Sequence, residues 1–306
     1  MGVFLRRNRF GLGTLRAIKS KMKEKTILTN DSESIDLDEI VKSEFYKIFT
    51  WGNVRKLPKL GEVHNHPDLV SAAADKGKYR LLLESEIVKA MDWNNYINYI
   101  PTTKDVDEAK AWIRQGGTYI LRPQFHHGAN DFHVIKSSPD NINEALSKFD
   151  KYYKEGSYLS QYIKKDKEYR VFIMHKKVVF VIEKIVDNPD EYAWNVANGG
   201  RMVNVRWGNW DPVVVNAALL ANYHDKLQYG AYDIMVSNGI AYVLEVNTSP
   251  KVEEEYWSSC IAKAFDYALE NNIGLYGFGT PGIYFDGWGQ SFWKTVIHPA
   301  LWEREG

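Results

Sequence analysis

Asp233, Glu245 and Asn247 are three oxygen donors separated by 12 and 2 positions, within a stretch that reads as two short strands, 231–236 and 240–247. Large apolar side chains fall at Tyr232, Ile234, Val236, Ile240, Tyr242, Leu244 and Val246, all even positions. Side chains alternate between the two faces of a strand, so one core collects this set only if cross-strand neighbours are both even-numbered. A two-residue Asn-Gly turn would pair odd with even. A three-residue loop, Ser237-Asn238-Gly239, with Gly239 left-handed, keeps the parity and sets Ala231 opposite Glu245. Asp233, Glu245 and Asn247 then share the face turned away from the core. Two carboxylates and a carboxamide on one patch call for a cation between them. An all-oxygen set suits Mg²⁺, which takes a few carboxylates together with phosphate oxygens. The plainer alternative is an exposed sheet face carrying ordinary acids. The tight loop Asn247-Thr-Ser-Pro250 that leaves the strand favours the metal.

A second hairpin repeats the logic. Residues 168–174 return through His175-Lys176-Lys177 to 178–185, and a three-residue connection places Glu168 opposite Lys184 and Arg170 opposite Ile182. A two-residue turn would break that set. A carboxylate able to bind sugar hydroxyls then stands beside two cations suited to phosphate. The alternative is a cross-strand salt bridge, which is common enough to make this hairpin weak evidence alone.

These side chains need a scaffold. Helices are expected over 12–23, 37–47, 67–91, 105–115, 140–153, 211–227 and 253–271, with Gly116-Gly117 ending the fourth. Strands are expected at 119–121 and 157–163 besides the two hairpins. Four regions are expected: 1–73, carrying the basic segment, which the family resemblance given below makes a substrate region; 74–160 and 161–275, two lobes; and 276–306, a tail rich in aromatic residues and glycine.

The chain has 306 residues, 44% apolar and 25% charged, enough for a real core. Its 39 basic and 39 acidic side chains cancel, so net charge points to neither nucleic acid nor membrane. No run approaches the roughly 18 apolar residues of a membrane span. With no signal-peptide pattern and one cysteine, the expectation is a cytoplasmic protein. Cys260 falls among apolar residues at helical spacing and reads as core rather than nucleophile. Residues 6–25 hold eight cations against Glu24. They read as a solvated helix face, with nucleic acid as the weaker alternative. His64-Asn65-His66 and His126, His127, His133 lack the cysteines and spacing of a zinc site. Trp207-Gly-Asn-Trp210 reads as core or lid packing before ligand stacking.

Taken in order, Tyr119-Ile-Leu-Arg122, Leu159-Ser-Gln-Tyr-Ile163, Glu168-Tyr-Arg170, Ile182-Glu-Lys184, Asn195 with Gly199-Gly200, Asp233 and Leu244-Glu-Val-Asn-Thr-Ser-Pro250 resemble the ATP-grasp carboxylate–amine ligases. The branch looks most like the ribosomal-protein glutamate ligases and the ATP-grasp proteins of tailed phages. The upstream Trp51-Gly-Asn53, Leu57-Pro58, Asn65 and Asp75-Lys76 also look like the phage branch. The likeness spans roughly residues 50–270. It implies an α+β fold, the ATP-grasp fold, in which two subdomains clasp ATP, and a virus-encoded protein acting in the host cytoplasm.

The same resemblance assigns roles. Arg122 would contact the α and β phosphates, Gln161-Tyr162-Ile163 would read adenine through the backbone, and Glu168 would hold the ribose. Lys184 and Arg170 would meet the phosphates or an acyl phosphate, and Asn195 would face the γ-phosphate. Asp233, Glu245 and Asn247 would bind Mg²⁺, with Glu245 bridging two ions. The implied reaction joins an unidentified carboxylate to an amine through an acyl phosphate, releasing ADP and phosphate. The sequence departs from the pattern twice. Its phosphate loop, 125–133, has the single glycine Gly128, with His126 or His127 as helpers. Ala193 replaces an arginine, for which Arg201 or Asn198 compensates. Two alternatives stay open: an ATP-binding module without ligation, and a modifier of a nucleic-acid-associated target.

Overall fold

The computed structural model of the protein describes residues 2–6, 11–24, 26–30, 47–52, 62–90, 97–125, 132–194, 199–252 and 254–271. Three sheets organise them, and the expected α+β class is what forms. Strands β1 (Gly2–Arg6), β2 (Thr26–Asn30), β3 (Lys47–Trp51) and β4 (Glu62–His64) make a parallel sheet in the order β2-β1-β3-β4. None of these strands was anticipated. The helix expected over 37–47 lies almost wholly outside the described residues, and Lys47 opens β3. The first helix stops at Lys19 rather than at residue 23.

After β5 (Ile97–Asn98), the strands β6 (Thr102–Thr103), β7 (Gly117–Arg122), β8 (His133–Ser137) and β9 (Tyr158–Gln161) form an antiparallel sheet in the order β6-β9-β7-β8. Helices Val106–Gln115 and Ile142–Tyr152 cover it, burying Ile113 and Phe149 against Leu121 and Ile135. β8 takes up the end of the stretch read as a phosphate loop.

The third sheet contains β10 (Lys167–Met174), β11 (Lys177–Ile185), β12 (Arg201–Val205), β13 (Tyr229–Ser237) and β14 (Ile240–Asn247), joined at one edge by β5. Its order is β12-β11-β10-β13-β14-β5. Every residue of β13 is buried, because this sheet is covered on both faces. Tyr169, Val171, Tyr232 and Ile234 pack under helix Pro212–Asp225. On the other face the same strands change character along their length. Phe172, Met174, Phe180, Ile182 and Ala231 lie under helix Glu255–Glu270, while Glu168, Arg170, Lys184 and Asp233 continue that face into an open cleft. Helix Glu255–Glu270 also carries the parallel sheet, with Phe265 edge-on to Phe4 at 4.8 Å.

Both hairpins correct the expected turns. β10 and β11 are joined by two residues, His175 and Lys176, both at positive φ, and β13 and β14 by Asn238 and Gly239, likewise at positive φ. These are the backbone signs of a type I′ turn, which matches strand twist and suits Asn-Gly. A bulge then shifts each ladder. One lies beyond the Phe172–Phe180 pair, and the other leaves Leu244 extra between Val243 and Glu245. In the first hairpin the bulge restores the expected pairs, Glu168 with Lys184 and Arg170 with Ile182. In the second, Asp233 lies opposite Glu245 and Ala231 opposite Asn247, not Ala231 opposite Glu245. Parity sets the register only where the hairpin has one apolar face. Here Tyr232, Ile234 and Val236 enter one core, while Tyr242 lies on the opposite face with Met235 and Ile100.

The helix expected over 67–91 is two helices, Pro67–Ala74 and Lys76–Ala90. Asp75 breaks them because its carboxylate accepts from the Lys78 amide, capping the second helix.

Candidate active site

The cleft lies between the β6-β9-β7-β8 sheet and the polar end of the six-stranded sheet, with a cavity volume of about 230 Å³. β7 and β9 contribute Ile120, Arg122, Ser160 and Gln161; β10, β11, β13 and β14 contribute Glu168, Arg170, Lys184, Asp233, Glu245 and Asn247. Tyr162 and Ile163 complete the set of expected residues that converge there. Asn195, His127 and Gly128, together with His126 and Asn198, lie outside the described residues.

Strand alternation explains the convergence. Glu168 and Arg170 share a face of β10, Asp233 stands beside Arg170 on β13, and Glu245 stands beside Asp233 on β14. The Leu244 bulge lets Glu245 and Asn247 share that face.

Buried charges here are paired through hydrogen bonds. The Arg170 guanidinium grips Asp233 with both arms, Nε to Oδ1 at 2.7 Å and Nη2 to Oδ2 at 2.9 Å. Lys184 donates to the same Oδ2 at 2.9 Å and also to Glu168, whose other oxygen accepts from Lys165. Burial pushes the Asp233 pKa up, but Arg170 and Lys184 outweigh it and hold the carboxyl below its ordinary value. Burial likewise pulls Lys184 down, and Asp233 and Glu168 more than offset this, so its pKa is raised. Lys165 is different: burial lowers its pKa, and Glu168 only partly compensates. Its ammonium also lies 4.8 Å from the Trp194 ring. At the far end, Asn247 donates to Glu245 at 3.3 Å and Lys76 lies 3.8 Å from that carboxylate.

Two expectations narrow. The amides of Gln161 and Tyr162 donate to the carbonyls of Pro101 and Thr118, both at 2.9 Å, so neither is available to an adenine ring. Arg201 is exposed and 3.7 Å from Asp187, and it does not line the cleft, so it does not replace the arginine absent at Ala193. Sequence reasoning missed Arg80, Lys165, Trp194 and Met235. The sequence held a signal for Arg80: it lies one helical turn after Lys76.

The donor chemistry fits a metal-bound polyphosphate. Arg80, Arg122, Lys165, Arg170 and Lys184 line the cleft together with Glu168, Asp233 and Glu245, an excess of positive charge. Glu245 and the Asn247 carboxamide supply oxygen donors on the same wall. Among the described residues no three His, Cys, Asp or Glu side chains form a metal-ligand cluster, so an ion held here would need the Asn247 amide oxygen beside the carboxylates. His64 and His66 form no such site: His64 is buried against Phe49 and His175, and His66 caps a helix. Cys260 is buried, its thiol pushed up to about 12 by that burial, consistent with a core residue. Trp210 is also core, its indole bonded to the Val205 carbonyl.

No protein-family model matches the sequence, and no curated protein matches it. Solved structures do. D-cycloserine synthetase DcsG is similar over 88% of this chain and 100% of its own, at 14% identity and a TM-score of 0.59. The ATP-grasp ligase PsnB, complexed with a minimal precursor, is similar over 87% of this chain and 98% of its own, at 13% identity and a TM-score of 0.58. This chain has the ATP-grasp fold. D-alanine–D-alanine ligase from Bacillus anthracis shares it over 89% of this chain and 98% of its own, at 14% identity and a TM-score of 0.57. In this ATP-grasp fold the cleft described above lies between the two sheets. Among the described residues no helix is long and apolar enough to cross a membrane.

Proposed function

We propose that the protein is an ATP-dependent ligase that joins a carboxylate to an amine. The observation that carries this reading is the meeting of Asp233, Glu245 and Asn247 with five cations in one cleft. The order of its motifs supports a place near the ribosomal-protein glutamate ligases and tailed-phage ATP-grasp proteins.

In the reaction, a substrate carboxylate oxygen bonds to the γ-phosphorus as the β–γ bridge breaks and ADP leaves. An amine then bonds to the acyl carbon and gives up a proton to solvent, and phosphate departs with the C–O electron pair. Mg²⁺, when bound by Glu245, Asn247 and Asp233, would neutralise phosphate charge. The chain's own groups supply the rest. Arg122 on one wall and Lys184 and Lys165 on the other would hold the phosphates from opposite sides. Glu168 keeps both lysines oriented and is the group offered to the ribose. Arg170, fixed by its two bonds to Asp233, presents a preorganised positive charge that needs no rearrangement as charge develops. The precursor peptide bound by the macrocyclase MdnC of Microcystis aeruginosa and the minimal precursor bound by PsnB support an amino acid or peptide as one co-substrate here.

The test is incubation with Mg·ATP and cell extract, followed by mass spectrometry for a new amide and by ADP measurement. A product that depends on ATP and on Glu245 is expected. Nucleotide binding without turnover across pools of acids and amines would favour a binding module instead.

A further inference from the structure

Arg80 belongs to neither sheet yet touches both. It projects from helix Lys76–Ala90, donates through Nε to the Leu244 carbonyl at 3.1 Å and through Nη1 to Ser160 Oγ at 3.0 Å, and lies 5.6 Å from the Tyr158 ring. Leu244 is the bulge residue directly before Glu245, and Ser160 directly precedes Gln161-Tyr162-Ile163.

Edge geometry explains the first bond. β5 pairs with β14 at Ala241 and Tyr242, and beyond that point the outer edge of β14 has no strand partner among the described residues. Buried carbonyls still need donors. Carbonyls two residues apart on a strand are separated by about 6.7 Å, and side chains four apart on a helix by about 6 Å along its axis. Lys76 and Arg80 match that spacing: Lys76 donates to the Val246 carbonyl at 2.8 Å while Arg80 serves Leu244. The backbone on both sides of Glu245 is therefore held by the helix.

The second bond has a fixed direction. Thr102 donates its hydroxyl to the Ile100 carbonyl at 2.8 Å, so in the 2.9 Å pair Ser160 is the donor to Thr102 and its oxygen is left to accept from Arg80. The chain runs one way from guanidinium to backbone, and its dipoles reinforce one another.

We infer that Arg80 is a positioning residue that clamps the bulged strand at Glu245 to the β9 wall, so that the metal end and the adenine end of the cleft are held at one spacing. This rests on the Mg·ATP reading of the cleft and extends it to a residue outside the donor set.

Isothermal titration of ADP and of adenosine, with Mg²⁺ and with EDTA, tests it. In Arg80→Met the Mg²⁺-dependent gain in ADP affinity should fall about tenfold, as for other groups that orient metal ligands, with adenosine affinity within about twofold of wild type. Arg80→Lys should lie between. An unchanged Mg²⁺ gain, or equal losses for ADP and adenosine, would overturn the clamp while leaving the nucleotide site standing. Should Arg80→Met fail to fold, Arg80→Lys and Ser160→Ala carry the test. Each should reduce the gain about threefold, the worth of one hydrogen bond, and no reduction in either would overturn the clamp. Wild-type protein that binds no ADP in any condition would overturn the reading of the cleft and the clamp with it.

Discussion

Asp233 stands directly across the β13–β14 ladder from Glu245, yet its own two oxygens are held by Arg170 and Lys184. Neighbouring carboxylates repel, and this pair coexists because one member is already neutralised from the β10 and β11 side. Glu245 is the member left facing the cleft with Asn247.

Replacing Asp233 with Asn should therefore cost stability as well as metal affinity. It would leave two buried cations short of a counter-charge, a loss on the order of 3 kcal/mol in urea unfolding. Asp233→Asn combined with Arg170→Met should lose less than Asp233→Asn alone. Equal or greater loss in the double variant would show that the pairing does not set the penalty.

Glu245→Gln should act differently. Its side chain is partly exposed, and Lys76, 3.8 Å from it, keeps the Val246 carbonyl. Thermal unfolding should stay close to wild type while Mg²⁺ ceases to strengthen ADP binding. A retained Mg²⁺ effect would remove Glu245 from the metal site.

Arg122 lies at the end of β7 on the wall facing Lys184. Arg122→Ala should weaken ATP by at least about tenfold, the scale of a charge-assisted contact, and adenosine far less. Equal weakening would place Arg122 away from the phosphates.

Asp225 supplies a pH test remote from the cleft. It accepts from the hydroxyls of Tyr79 and Tyr232 and from the Leu227 amide, and burial, only partly offset by these donors, raises its pKa to about 7. Between the ordinary carboxylate pKa near 4 and about 7, the native state keeps a proton that the unfolded state has lost. Stability is thus fully present below pH 4 for this group and falls as pH rises, by up to about 1.4 kcal/mol per pH unit. Asp225→Asn should flatten that slope in urea titrations between pH 5 and 8. An unaltered slope would assign the pH dependence elsewhere.

Residue types and motif order were enough to indicate the ATP-grasp fold and to name most of the cleft's charged lining, because strand alternation brings Glu168 with Arg170, and Glu245 with Asn247, to one face whichever turn joins the strands. Turn lengths and bulges were beyond reach. Parity fixes a turn only where one face of a hairpin is the core, and a sheet buried on both faces removes that constraint. The parallel N-terminal sheet was equally hidden, since its strands are short and pair only across long sequence separations. Partnership was decided by tertiary structure alone. That Arg170 grips Asp233, that two lysines share Glu168, and that Arg80 ties the Leu244 bulge to Ser160 depends on how three separate segments pack. No local periodicity encodes a distance between elements that meet only after the chain has folded.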